Sequence, residues 1–365
     1  MTWSKIKCRL LEIEGMLETG NRITPDDALF LYENASLGFL GMLADIAREK
    51  ASGNCVYYNR NLHLEPTNIC IYGCRFCAYS KKAGENGAWD MSSVELMDYL
   101  EKRMLPGTTE LHIVGGVYPG RDVFYYAKQL SMIRRKYPDL HIKAFTAIEL
   151  DYMFKTAGVT IEDGLDILIE GGLNSIPGGG AEIFDDEIRK KICHEKSDSA
   201  TWLKIHKAVH KKGLPSNATM LYGHIESIYH RIRHLEILRN LQDETGGFNS
   251  FIPLKYRSGN NRMEKIGEVT FIEDLRNFSL SRIFLDNFRH IKAYWPMAGK
   301  NLAQLSLSFG VNDLDGTVND STKIYSMAGA EEKNPSMTSD EIIRLIEDTG
   351  KTAVERDSYY NAVKR

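Results

Sequence analysis

No apolar run reaches the ~18 residues that a membrane-crossing helix needs, so no span is expected. The opening stretch "MTWSKIKCRLLEIEG" is charged and has no secretory apolar core, which points to the cytoplasm. An excess of one charge is missing too. The 46 Lys plus Arg stand against 49 Asp plus Glu, a balance that implies no basic face for nucleic acid. Cysteine is scarce: six in 365 residues do not look like a disulfide framework, and three of them crowd into eight residues. Reduced thiols and a metal site are the better expectation. There is no internal repeat and no low-complexity tract.

The residues that are present read as one large α/β unit. Residues 1–55 predict a helical segment packed on the remainder of the chain. Thr24 before "PDD" is a good N-cap with proline at the first helical position, and Gly53 a good stop. From Leu62 short apolar runs alternate with helical stretches. The strand candidates are "NLHLEP", "ELHIVGG", "HIKAFTAIE", "GLNSIPG", "SNATMLYG", "GFNSFIPL", "HIKAYWP" and "LSLSFGVND". Eight strands alternating with helices predict a parallel (β/α)8 barrel of TIM type over residues 56–325, with its active site at the strands' C-terminal ends. Residues 326–365 read as one capped helix and a polar extension.

The three crowded cysteines are Cys70, Cys74 and Cys77, spaced C-x-x-x-C-x-x-C in "NICIYGCRFCAYS". A cubane [4Fe–4S] cluster has four irons, each wanting one outside ligand, and thiolates are the usual ones. Three cysteines on one tight loop leave the fourth iron open to chelate a substrate or cofactor. S-adenosylmethionine (SAM) offers an amine and a carboxylate in chelating geometry, and reducing its sulfonium releases a 5′-deoxyadenosyl radical. The competing reading is a structural zinc held by the three cysteines and His63, which a chain this long does not need. Cys8, Cys55 and Cys193 read as ordinary cysteines.

With Phe76 as the apolar residue before its last cysteine, the motif resembles the signature of radical SAM enzymes. "IVGG" is similar to that family's glycine motif on the second strand, here Gly115 and Gly116, with Val117 where a glutamate usually follows. "TMLYGHIE" is similar to its fifth-strand motif. Thr219 replaces the first glycine there, while Leu221, Gly223 and Glu226 fit. The resemblance implies a reduced [4Fe–4S] cluster, SAM as a consumed co-substrate and an external electron donor of flavodoxin or ferredoxin type. Phe76 and the backbone of Tyr79 would flank the adenine.

Further stretches, including "GGLNSIPGGGAEIFDDEIRKKIC", "NFRHIKAYW" and "NDLDGTV", resemble the futalosine-pathway enzymes of menaquinone biosynthesis over roughly residues 20–362. Within that group the pattern looks most like the aminofutalosine-forming family. The sister family that forms cyclic dehypoxanthinylfutalosine is the alternative. The resemblance implies that the radical adds to the enol-ether double bond of 3-[(1-carboxyvinyl)oxy]benzoate, giving aminofutalosine, methionine and bicarbonate. Such a substrate carries two carboxylates and needs cationic or N–H donors. His63, Asn68, His224, Arg257 and Lys292 are the candidates for binding it, with His224 and Lys292 also candidates for catalysis. Glu149, read as the end of the third strand, and Glu182, beyond the glycines of "PGGGAE", are candidates for ribose or amine contacts. Asn217 and Thr219 on the fifth strand are candidates for the SAM side. Asp313 and Asp315 belong either to a turn or to the eighth-strand mouth.

Overall fold

The computed structural model describes residues 2–319 and 322–364. Three helices come first: α1 (Trp3–Glu18), α2 (Pro25–Asn34) and α3 (Leu37–Ser52). Thr24 caps α2 as a reciprocal box with Asp27, and Gly53 ends α3 at a positive φ.

Nine strands follow among the described residues: β1 (Cys55–Tyr58), β2 (Asn61–Leu64), β3 (Glu110–Ile113), β4 (His141–Ala144), β5 (Ser216–Tyr222), β6 (Phe248–Lys255), β7 (His290–Ala293), β8 (Asp313–Leu314) and β9 (Thr352–Glu355). Between them run α4 (Ser93–Arg103), α5 (Val123–Lys136), α6 (Ala147–Ala157), α7 (Ile161–Gly171), α8 (Asp186–Cys193), α9 (Ser199–Lys211), α10 (Ile228–Thr245) and α11 (Phe271–Phe284). All strand pairs are parallel, as helical crossovers require. Four-residue strands such as β2, β4 and β7 are buried throughout, as expected where helices cover the outer face and side chains fill the inside. The α/β expectation from sequence is met. Among the described residues no helix is long and apolar enough to cross a membrane.

The ladders do not run unbroken around a ring. Strands β5-β6-β7-β8-β1-β9 form one sheet and β2-β3-β4 another. Single bridges, Lys143 to Ser175 and Ile176 to Ser216, link β4 to β5. The expected strand "GLNSIPG" contracts to these two bridges, because Pro177 has no N–H to give a ladder. "LSLSFGVND" is a further correction. Leu305 and Ser306 lie in the helix Lys300–Ser306, Gly310 turns at φ 94°, and only Asp313–Leu314 pairs as a strand. The expected polar tail is likewise more than an extension. After the capped helix Ser339–Glu347, β9 pairs with β1 from Cys55–Thr352 to Tyr58–Glu355.

Candidate functional site: two connected chambers

The cysteine loop leaves β2 and turns back over the strand ends. Its backbone is tied down at Cys70 N–H to Lys81 O (2.9 Å), Ile71 N–H to Val117 O (2.9 Å) and Arg75 N–H to Ile192 O (2.8 Å). Gly116 is needed for this approach, since a Cβ there would stand 2.3 Å from the carbonyl oxygen of Ile69. The loop walls an outer chamber of about 210 Å³, lined by Cys70, Cys74, Cys77, Phe76, Tyr79, Gly115, Gly116, Glu149, Glu182, Leu221 and Arg257, among others. The three thiols are free. Among the described residues no three His, Cys, Asp or Glu side chains converge to hold a single metal ion. All three thiols line the outer chamber, and thiolates are the usual protein ligands of an iron–sulfur cluster. His63 does not join them: its Nε2 lies 3.3 Å from Asp315. Burial pushes the Cys70 and Cys74 thiols up, so a bound cation is what would hold them as thiolates.

Two acidic groups share the outer chamber. Glu149 is not at a strand end but at the third position of α6, where Thr146 N–H (2.7 Å) and Oγ1 (2.8 Å) donate to Oε2 and Gly115 N–H (3.3 Å) to Oε1. Burial pushes its carboxyl up to about 7, against the pull of those bonds. Glu182 is held 2.7 Å from the ammonium of Lys196, which also lies 5.3 Å from the Phe76 ring centroid. Lys196 lines the chamber, although no sequence motif singles it out. At the rim Arg257 pairs with Glu268 (3.3 Å), while its buried Nε has no partner among the described residues.

An inner chamber of about 140 Å³ opens below, sharing Val114, Thr146, Gly179, Leu254, Ile324 and Tyr325 with the outer one. Its lining includes the apolar Val114, Ile252, Leu254 and Ile324 and the polar His63, His112, Lys143, Lys292 and Asp315. Lys292 is 1% exposed, with its ammonium 3.1 Å from Asp315 and 3.9 Å from Asp313. Burial works against that charge, but Asp313 and Asp315 outweigh it and hold the lysine protonated. His112 Nε2 is buried without a partner among the described residues, its ring 4.6 Å from that of His63. Asn217 and Thr219 line the same chamber, with Thr219 Oγ1 donating to Gly178 O (2.6 Å).

Two candidates lie elsewhere. Asn68 spends its amide on the Gly87 carbonyl (2.9 Å) and accepts from Trp89 N–H (2.8 Å), so it pins a loop and lines neither chamber. His224 also lines neither. Its Nε2 donates to Leu221 O (3.0 Å), its Nδ1 accepts from Ile225 N–H (2.7 Å), and Glu226 takes the N–H groups of Gly223 (2.6 Å) and His224 (2.8 Å). The fifth-strand motif thus builds a locked turn.

The chain is similar to known proteins over nearly its full length. Residues 64–238 match the Radical SAM superfamily and residues 245–364 the CofH/MqnC C-terminal region. The chain is 41% identical to the aminodeoxyfutalosine synthase of Thermus thermophilus over 98% of its length and 96% of that protein's. It is 38% identical to the Streptomyces coelicolor enzyme of the same name, over 97% and 94%. Identity to the S. coelicolor cyclic dehypoxanthine futalosine synthase is 33%, over 97% and 89%. Among solved structures, methylornithine synthase superposes with a TM-score of 0.75 at 16% identity, covering 93% of this chain and 97% of that one.

Proposed function

The chain belongs to the radical SAM superfamily, and from that premise we propose that it carries out the aminodeoxyfutalosine synthase reaction. The relatives at 41% and 38% identity support this over the cyclic dehypoxanthine futalosine reaction, whose namesake is more distant. The observation that carries the reading is the pair of chambers: three free thiols in one, and a ring-sized space over a buried ammonium in the other.

Cys70, Cys74 and Cys77 hold a [4Fe–4S] cluster, which when bound supplies the electron that cleaves SAM. The outer chamber takes SAM, with Phe76 against the adenine and Gly115 and Gly116 giving close backbone approach. Glu149, beside Gly115, offers the acidic contact that Val117 lacks, and Glu182 faces the ribose. The inner chamber takes the enol-ether benzoate, with Lys292 meeting a carboxylate, while Arg257 stands at the rim of the outer chamber. The inner chamber's apolar walls exclude water from the radical. The adenosyl carbon joins the enol-ether carbon, the ring migrates and one carboxylate leaves. Atom balance requires one water and returns one electron, so methionine, aminofutalosine and bicarbonate form with no net redox change. A one-electron donor of flavodoxin or ferredoxin type starts the cycle, in the cytoplasm.

The test is anaerobic reconstitution with iron and sulfide, then incubation with SAM, dithionite and the enol-ether. A brown protein that forms a product containing both adenine and benzoate supports the reading. A colourless protein that never retains iron contradicts it.

A further inference from the structure

Lys292 sits between two carboxylates that compete for it. Asp313 and Asp315 lie two residues apart around the end of β8, where alternation turns both toward the same side. Asp313 is paired in register with Lys292 itself, yet the ammonium stands closer to Asp315, 3.1 Å against 3.9 Å. Only Asp315 borders the inner chamber.

The groups that hold Asp313 come from the far end of the chain. Strand β9 runs along β1, and Arg356 N–H then donates to Tyr58 O (2.8 Å). The Arg356 guanidinium is buried and donates to both Asp313 oxygens, at 3.2 and 2.9 Å. Tyr360 gives Asp313 its hydroxyl, lies under the Arg356 guanidinium (3.9 Å to the ring centroid) and stacks on His290 at 4.0 Å. Asp357 ties this turn by accepting from Tyr359 N–H (2.8 Å) and Asn361 N–H (2.9 Å). One guanidinium nitrogen, Nη2, shared between the two oxygens, and a phenol thus occupy the carboxylate that would otherwise draw the lysine away from the cavity.

We propose that the C-terminal segment sets substrate recognition: Arg356 and Tyr360 saturate Asp313, so Lys292 is presented at the chamber floor to the carboxylate of an aryl acid. Arg356 is a positioning residue and touches no substrate. The proposal rests on the reading that Lys292 meets a substrate carboxylate.

The test is binding of 3-[(1-carboxyvinyl)oxy]benzoate to the cluster-loaded, full-length protein by calorimetry, with the rate of SAM cleavage in its absence as a second readout. Lys292→Met checks the underlying reading and must weaken binding. Arg356→Met is expected to weaken binding about tenfold or more with SAM cleavage unchanged, because losing one partner of a buried pair leaves the other charge seeking a new one. Asp313→Asn added to Arg356→Met removes the competitor and is expected to restore affinity to within a few-fold. A purely structural role would show as lower thermal stability with wild-type affinity. If Arg356→Met fails to fold, the double variant and Tyr360→Phe decide: wild-type affinity in the double variant with a weakened Tyr360→Phe supports the proposal. Wild-type affinity in both Arg356→Met and Tyr360→Phe, or no recovery in the double variant, overturns it. If Lys292→Met also binds normally, the carboxylate reading itself falls.

Discussion

The two chambers are built in opposite ways. The outer one is made of short local segments: one cysteine loop and two glycine turns, fixed mainly by backbone hydrogen bonds. The inner one takes its histidines and charges singly from β2, β3, β4, β7 and the end of β8, fixed by charge pairs between residues far apart in the chain. A chamber that must cradle a cluster and a flexible cofactor needs donors with little bulk. One that must discriminate a rigid diacid needs charges held by charges.

Removing Cys74 should break the outer chamber outright. Cys74→Ala is expected to lose bound iron and all turnover, because one thiol of three cannot be spared on one loop. Iron content and product formation read this directly, and a variant retaining both would contradict the cluster assignment. Next in size is Lys292→Met in the inner chamber. It should raise KM for the enol-ether at least tenfold while SAM cleavage alone persists, since an unpartnered buried charge costs about 2–5 kcal/mol. Equal losses in both activities would erase the division of labour between the chambers.

The smallest effect concerns the segment that both chambers share. Glu65, at the end of β2, is buried and accepts from Thr322 Oγ1 (2.7 Å) and Lys323 N–H (2.9 Å), just before Ile324 and Tyr325 line both cavities. Burial pushes its carboxyl up to about 7. A carboxyl raised on folding holds its proton in the native state after the unfolded chain has lost it. Its contribution is therefore complete below the ordinary carboxylate range and is lost as pH rises to about 7. Glu65→Gln should flatten the fall of stability over that window by up to ~3 kcal/mol. Denaturant unfolding at a series of pH values measures it, and an unchanged slope would place the titration elsewhere.

The outer chamber is legible in the sequence to the extent that its parts are contiguous. Three cysteines in eight residues and a glycine pair after a strand carry their chemistry in their spacing. Glu149 reads as a strand end only if its neighbours are ignored, since "TAIE" from Thr146 to Glu149 is a capping-box pattern that opens a helix. His224 resembles a site residue because it follows β5, but Glu226 two positions on is the signal of a self-contained turn. Nothing in the sequence marks Lys196, which reaches back past helix α8 to Glu182, nor His112, whose strand gives no sign of an unpartnered nitrogen. The inner chamber is least legible. Alternation along β7 picks out Lys292, but its partners depend on which strands neighbour it, and "TAVE" near the chain end is too short to announce β9. Long-range pairing is set by the fold as a whole and leaves no local trace.

The fate of the adenosyl group separates the proposed chemistry from its rivals. SAM labelled at the adenosyl carbon next to sulfur should be incubated with the reduced protein and the enol-ether. The label is expected covalently within the adenine- and benzoate-containing product, in step with methionine release. Recovery of nearly all label as 5′-deoxyadenosine, with the enol-ether present and bound, would contradict radical addition and assign the chain to hydrogen-abstracting chemistry.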